Sequence, residues 1–218
     1  MCSGYRRHRV RGDVRMVLRV RWLAVAVAVA VLAVAGCSWS RSRPRQSLPY
    51  YCTPGPVEVG SPPPVKQECT QEAYEKDQQR LELEKKALII HADFNREYQR
   101  WVWAGGSLTL PANIEGYLAD PMKGQIQRIL ANQKQEGRTV EGPEPRMTQR
   151  VIPNPNIDGS EVALLACTDG RGSVMHTREG ENYAGRVNVT TRLLKRYPDG
   201  MMRLFHGNGD WRDSCPFE

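Results

Sequence analysis

The residues from Leu23 to Cys37, LAVAVAVAVLAVAGC, form an uncharged apolar run that divides the chain into a leader and everything after it. Arginines precede the run (Arg19 and Arg21 among them), and small Ala35 and Gly36 close it. These are the three parts of a secretory signal: a cationic n-region, an apolar h-region of about 7–15 residues, and small residues before a cut. The alternative is a membrane span, which takes about 20 consecutive apolar residues. This run is shorter, and Ser38, Ser40, Arg41 and Arg43 follow it at once. Export of the remainder is the expectation. Met16 would give a more ordinary n-region than Met1–Arg15 and is the expected start.

Val34, Ala35, Gly36 and Cys37 resemble the lipobox of bacterial lipoproteins, in which an aliphatic residue, two small residues and a cysteine end the h-region. Valine stands where leucine is commoner. The resemblance implies that residues 1–36 are removed, that the Cys37 thiol receives a diacylglycerol, and that the new amino terminus is open to acylation. Two or three acyl chains, at about 0.8 kcal/mol per buried CH₂, anchor far more firmly than one. The implied location is the extracytoplasmic face of a cell membrane, held by lipid on Cys37.

The formal charge of +7 would suggest a nucleic-acid binder were it spread along the chain. Seven of the 31 basic residues and one of the 24 acidic ones, Asp13, precede Cys37, leaving +1 from Cys37 onward. The basicity belongs to the leader, where it sets membrane orientation, and nucleic acid is excluded as a partner. The cysteines divide likewise. Cys2 is in the leader and Cys37 is the acyl acceptor, leaving Cys52, Cys69, Cys167 and Cys215. Four cysteines in an exported domain suggest two disulfides with three connectivities. Pairing within each compositional block favours Cys52–Cys69 and Cys167–Cys215. No CxxC spacing or Cys/His cluster points to a metal, and no cofactor motif is present.

Residues 37–69 hold seven prolines (Pro44, Pro49, Pro54, Pro56, Pro62, Pro63, Pro64) and little apolar periodicity, and read as an extended tether whose Cys52–Cys69 loop closes onto the domain. The domain, 70–218, opens with a helix capped by Thr70 and ended by Gly105-Gly106 near Trp103. Leu83, Ala87, Ile90, Phe94, Tyr98 and Trp101 recur at helical spacing on one face. A short helix follows through Leu118. Asp120-Pro121, as N-cap and first helical residue, starts another with the stripe Met122, Ile126, Ile129, Leu130, stopped by Gly137. Beyond Arg138 the pattern is strands: 146–152, 160–169, 173–177, 185–197 and 201–206, with a Pro198-Asp199-Gly200 hairpin turn. In 185–197, Val187, Val189, Thr191 and Leu193 alternate with Asn188, Thr190 and Arg192. Helices followed by an antiparallel sheet define an α+β domain.

This order resembles the nuclear transport factor 2-like fold, and in particular secreted and lipid-anchored members from high-GC Gram-positive bacteria and their phages. The residues that carry the resemblance are the aromatic helix ending at Trp101/Trp103, the Tyr117–Pro121 break, the strand ending Ala166-Cys167-Thr168-Asp169, and Asn208–Arg212 with the late Cys215. It implies a curved, cone-like sheet wrapped on the N-terminal helices around an apolar cavity, with Tyr98, Trp101, Asp169 and His176 as candidate pocket-lining residues. Some members of the superfamily are cyclases, dehydratases or isomerases that use an Asp or His inside the cone, so Asp169, His176 and His91 are the candidate acids and bases. Asp169 precedes Gly170-Arg171-Gly172 and reads more simply as a turn residue, and no catalytic residue is assigned. The functional expectation is a non-enzymatic envelope protein that binds a small apolar ligand or an envelope protein. The alternatives are a cyclase- or isomerase-like enzyme acting on a small apolar substrate, and a phage-encoded lipoprotein that excludes superinfecting phage.

Overall fold

Where the tether was expected, two three-residue strands pair: β1 (Tyr50–Cys52) and β2 (Gln67–Cys69), antiparallel, with Tyr50 opposite Cys69 and Cys52 opposite Gln67. The computed structural model describes residues 49–58, 61–153 and 158–217; Cys37 and the apolar run that precedes it lie outside them. Cys52 and Cys69 are disulfide-bonded. Beyond β1 the chain is laced to the first turns of the long helix. Thr53 N donates to Asp77 Oδ2 at 2.8 Å, Arg80 Nη2 donates to Thr53 O at 2.8 Å, and the Tyr50 and Tyr74 rings lie 5.3 Å apart. Pro49–Glu218 forms one compact unit. Strands this short carry no alternation that a sequence pattern can register.

Helix α1 (Gln71–Trp103) opens as its sequence demands, with Thr70 Oγ1 accepting from Ala73 N at 3.2 Å. Ala87, His91 and Phe94 are its buried inner face, and Leu83, Ile90, Tyr98, Trp101 and Val102 pack beside them. Gly105 and Gly106 end it with φ of +84° and +80°, values that L side chains rarely adopt. A single turn, α2 (Ala112–Glu115), precedes α3 (Met122–Gln135). The Asp120–Pro121 peptide is cis, and Asp120 does not cap α3: Pro121 occupies the N-cap position and no side chain caps the helix. The cause lies upstream, where backbone bonds Ala119 N to Leu204 O and Leu204 N to Tyr117 O hold this segment against the last strand. Ile129 departs from the expected stripe and is 41% exposed, while Gln133 is buried one turn further on and donates to Val102 O.

The rest is antiparallel sheet. Strands β4 (Arg146–Ile152), β5 (Val162–Asp169), β8 (Val187–Arg196) and β9 (Met202–Arg212) form one sheet in the order β4-β5-β8-β9. Strands β3 (Thr139–Glu141), β6 (Val174–His176) and β7 (Asn182–Ala184) form a second in the order β3-β6-β7. Among the described residues no helix is long and apolar enough to cross a membrane. The Pro198–Gly200 turn links β8 to β9 with Gly200 at φ +78° and Tyr197 N bonded to Met201 O.

The four-stranded sheet has two unlike faces. Residues opposite one another in a ladder share a face, so Leu164, Arg192 and Gly207, aligned across three strands, all point one way. On that inner face Val162, Leu164, Leu194 and Leu204 meet Phe94, Ile126 and Leu130 of the helices in the main core. Ala163, Leu193 and Phe205 point outward into a small cluster with Ala119, Ile152 and Tyr197. Further along, outward Cys167, Val187 and Val189 are covered by the C-terminal segment through Cys215 and Phe217, with Cys167 and Cys215 disulfide-bonded. A register shift at Leu193/Leu194 leaves Phe205 as the extra residue of a bulge in β9.

Candidate functional site

The inner face of β8 changes character along its length. Leu194 belongs to the core, but the next inward positions toward the strand's start are Arg192, Thr190 and Asn188. On β9, Gly207 faces Arg192 and Gly209 faces Thr190, while Trp211 faces Asn188. A Cβ on Gly207 would lie 2.1 Å from Arg192 Nη1, and one on Gly209 would lie 2.5 Å from Thr190 Cγ2 and 2.9 Å from Asn188 Oδ1. The two glycines thus leave β9 bare where β8 needs room for polar side chains. Between this strip and the helices lies a cleft of about 590 Å³. Among its lining residues, helix α1 contributes His91 and Tyr98, α3 contributes Met122 and Ile126, and Arg186 and Trp211 stand beside the strip.

The protonation of the α1 groups follows from their partners. Gln149 Nε2 donates to Leu88 O at 2.8 Å, and a backbone carbonyl can only accept. Gln149 Oε1 therefore accepts, and the ring nitrogen facing it at 2.5 Å, His91 Nδ1, carries the proton. Burial pushes the His91 imidazole down to about 4, with the Arg192 charge adding to the fall and the Gln149 bond opposing it. His91 is therefore neutral at neutral pH, with Nε2 unprotonated. Burial likewise raises the Tyr98 phenol, partly offset by Arg192, so the hydroxyl keeps its proton. The Tyr98 ring stacks on Phe94 with centroids 5.6 Å apart.

Arg192 is the only side chain of this strip that brings a full charge. Burial disfavours its charged form, and the sole opposing influence is the nearby Tyr98. Its Nη1 approaches Met122 Sδ at 4.0 Å, and its Nε has no hydrogen-bond partner. Asn188 Oδ1 is buried and also without a partner. Among the described residues no aspartate or glutamate lines the cleft. A guanidinium stays protonated even when buried, and withdrawing an ion from water costs several kcal/mol unless a counter-charge offsets it. The cleft is thus a partly apolar hollow with an uncompensated cation on one wall. A perturbed, unpaired charge in a concavity marks a candidate binding site. At the mouth, the Arg186 guanidinium lies 5.5 Å from the centre of the Trp211 ring.

Of the residues singled out from the sequence, Tyr98 and His91 line this cleft. Trp101 packs against the core beside it and donates Nε1–H to Asn113 Oδ1 at 3.0 Å. Asp169 is held outside by Arg171, which donates from Nε at 2.9 Å, from Nη2 at 2.7 Å and from its backbone N at 3.1 Å. These bonds lower the carboxyl to about 2, the behaviour of a turn residue. His176 sits on the small sheet with Nδ1 2.6 Å from Asn182 Oδ1 and Nε2 3.4 Å from Glu141 Oε2. Asp169 and His176 therefore do not meet in a shared pocket. Arg192, Asn188 and Arg186 are not among the site residues expected from the sequence; the alternation in β8 is a signal for Arg192 and Asn188, and Arg186, just before the strand, has none. Among the described residues no group of three or more His, Cys, Asp or Glu is placed to hold a metal ion. No family model, curated protein or solved structure matches this chain.

Proposed function

We propose that the chain is a lipid-anchored extracytoplasmic binding protein, with diacylglycerol on Cys37 and a domain of the nuclear transport factor 2-like type that takes a small ligand in the cleft between α1, α3 and β8. The cleft carries this reading: about 590 Å³ lined by a mixture of apolar side chains and unsatisfied polar atoms is the usual form of a small-molecule site. Two disulfides suit an oxidising compartment, which supports export. Helices packed on one face of an antiparallel sheet, with a hollow between them, support the fold assignment.

Binding is favoured over turnover by the state of the titratable groups. A general base works best with a pKa near the ambient pH, whereas His91 is pushed down to about 4 and Asp169 to about 2, the latter outside the cleft. The anchor is tested by Cys37→Ala in the exporting bacterium. Palmitate labelling should vanish and the protein should leave the detergent phase or accumulate as uncleaved precursor. Retained labelling would place the lipid on another residue, and no labelling of the wild type would dismiss it.

A further inference from the structure

We infer that the ligand of this cleft is an organic monoanion, a carboxylate on an apolar body, with its charged end on Arg192 and its body directed along β8 toward Trp211. The inference rests on the binding reading above and gives it a chemical class. Arg192 enters the hollow opposite Gly207, on the stretch of sheet that faces Met122 and Tyr98, and among the described residues finds no carboxylate in the lining. Removing the Cβ at position 207 spares room for the guanidinium itself, since an added Cβ would sit 2.1 Å from Nη1. A surface arginine would need no such space. The planar guanidinium presents paired N–H groups that match the two oxygens of a carboxylate, and Arg192 is among the residues that line the cleft. The Tyr98 hydroxyl, protonated, is a neutral donor in the same lining. An acid would complete the charge balance that the lining leaves open, whereas a cationic ligand would meet Arg192 and Arg186 with no carboxylate to receive it. From Arg192 to Asn188 the strand runs roughly 13 Å, the length of a medium-chain or arylalkyl acid. The far end offers Met175 and Trp211 to its hydrocarbon.

The experiment uses the full-length protein in detergent and three matched probes: 4-phenylbutyrate, 4-phenylbutanol and 4-phenylbutylamine. Thermal stabilisation and tryptophan fluorescence are read for wild type and for Arg192→Met. The wild type should be stabilised by the butyrate and by neither of the others. Arg192→Met should lose at least about tenfold in affinity for the butyrate, the scale of a charge-assisted pair. The unliganded variant should melt no lower than wild type, because an apolar side chain of similar length replaces an unpaired ion. Gly207→Ala, which keeps the charge but crowds the guanidinium, should weaken the butyrate in the same direction and serves should Arg192→Met not fold. Equal stabilisation by the butanol, or full butyrate affinity in either variant, overturns the anion assignment and leaves a neutral apolar pocket. Stabilisation by none of the three overturns the binding reading of this cleft as well.

Discussion

His91 is a residue whose burial and hydrogen bond fix its protonation, and that has a measurable consequence. In the unfolded chain it titrates near 6.5, and in the folded protein at about 4. Between these values the unfolded state takes up a proton that the native state refuses, so stability falls as pH drops from about 6.5 to about 4 and this contribution is exhausted below. The loss is on the order of 3 kcal/mol. Asp169 titrates at about 2, below that window. Urea unfolding across pH 7 to 4 should show the decline, and His91→Gln should flatten it; an unchanged slope would place the proton uptake elsewhere. The sequence offers His91 as a candidate acid or base beside Asp169 and His176, with nothing to show what it faces. The signal that it faces Gln149 is three-dimensional, because the two residues lie 58 positions apart. Arg192 was written in the sequence but with the wrong default: an arginine alternating with valines in a strand reads as the solvent side, and here both sides of β8 are covered.

At the scale of elements, the junction between α1 and α3 is a close backbone-to-backbone approach. Ser107 N bonds to Leu130 O at 3.1 Å, Gly106 N returns to Trp101 O at 2.8 Å, and a Cβ on Gly106 would lie 2.2 Å from Leu130 O and 2.9 Å from Lys134 N. Both obstacles are backbone and φ is +80°. Gly106→Ala should therefore cost at least about 2 kcal/mol, combining left-handed strain with a clash that no side-chain rotation relieves. Gly116→Ala, with nothing within 4 Å and no positive φ, is the control expected to be near neutral. Equal effects at the two sites in chemical denaturation would refute this account. Long elements were legible because their periods repeat: α1 ends at Trp103 as Gly105-Gly106 dictates, and β4 spans Arg146–Ile152 as expected. The three-residue strands β1, β2, β3 and β7 were not, for they are fixed by partners rather than by their own composition. The start of α3 was misread because Asp120-Pro121 serves a junction with β9 instead of a cap.

For the molecule as a whole, two covalent links close loops of different size. Cys52–Cys69 spans 17 positions and Cys167–Cys215 spans 48. On chain entropy these are worth about 3 and about 4 kcal/mol. Replacing each pair by serine and measuring unfolding free energy should give losses of that order, larger for the Cys167–Cys215 pair, which also closes the buried cluster around Val187 and Val189. A smaller loss there would show that the C-terminal segment holds its place without the bond. The N-terminal ladder has a different kind of consequence. Because Tyr50–Cys52 is already tied to α1 through Thr53, Asp77 and Arg80, only residues 38–49 remain between a lipidated Cys37 and the folded body. Such a length reaches at most about 40 Å even when fully drawn out. If Cys37 is lipidated as proposed, an anchored copy would patrol only a thin layer next to the bilayer, and its cleft would sample what lies within that layer.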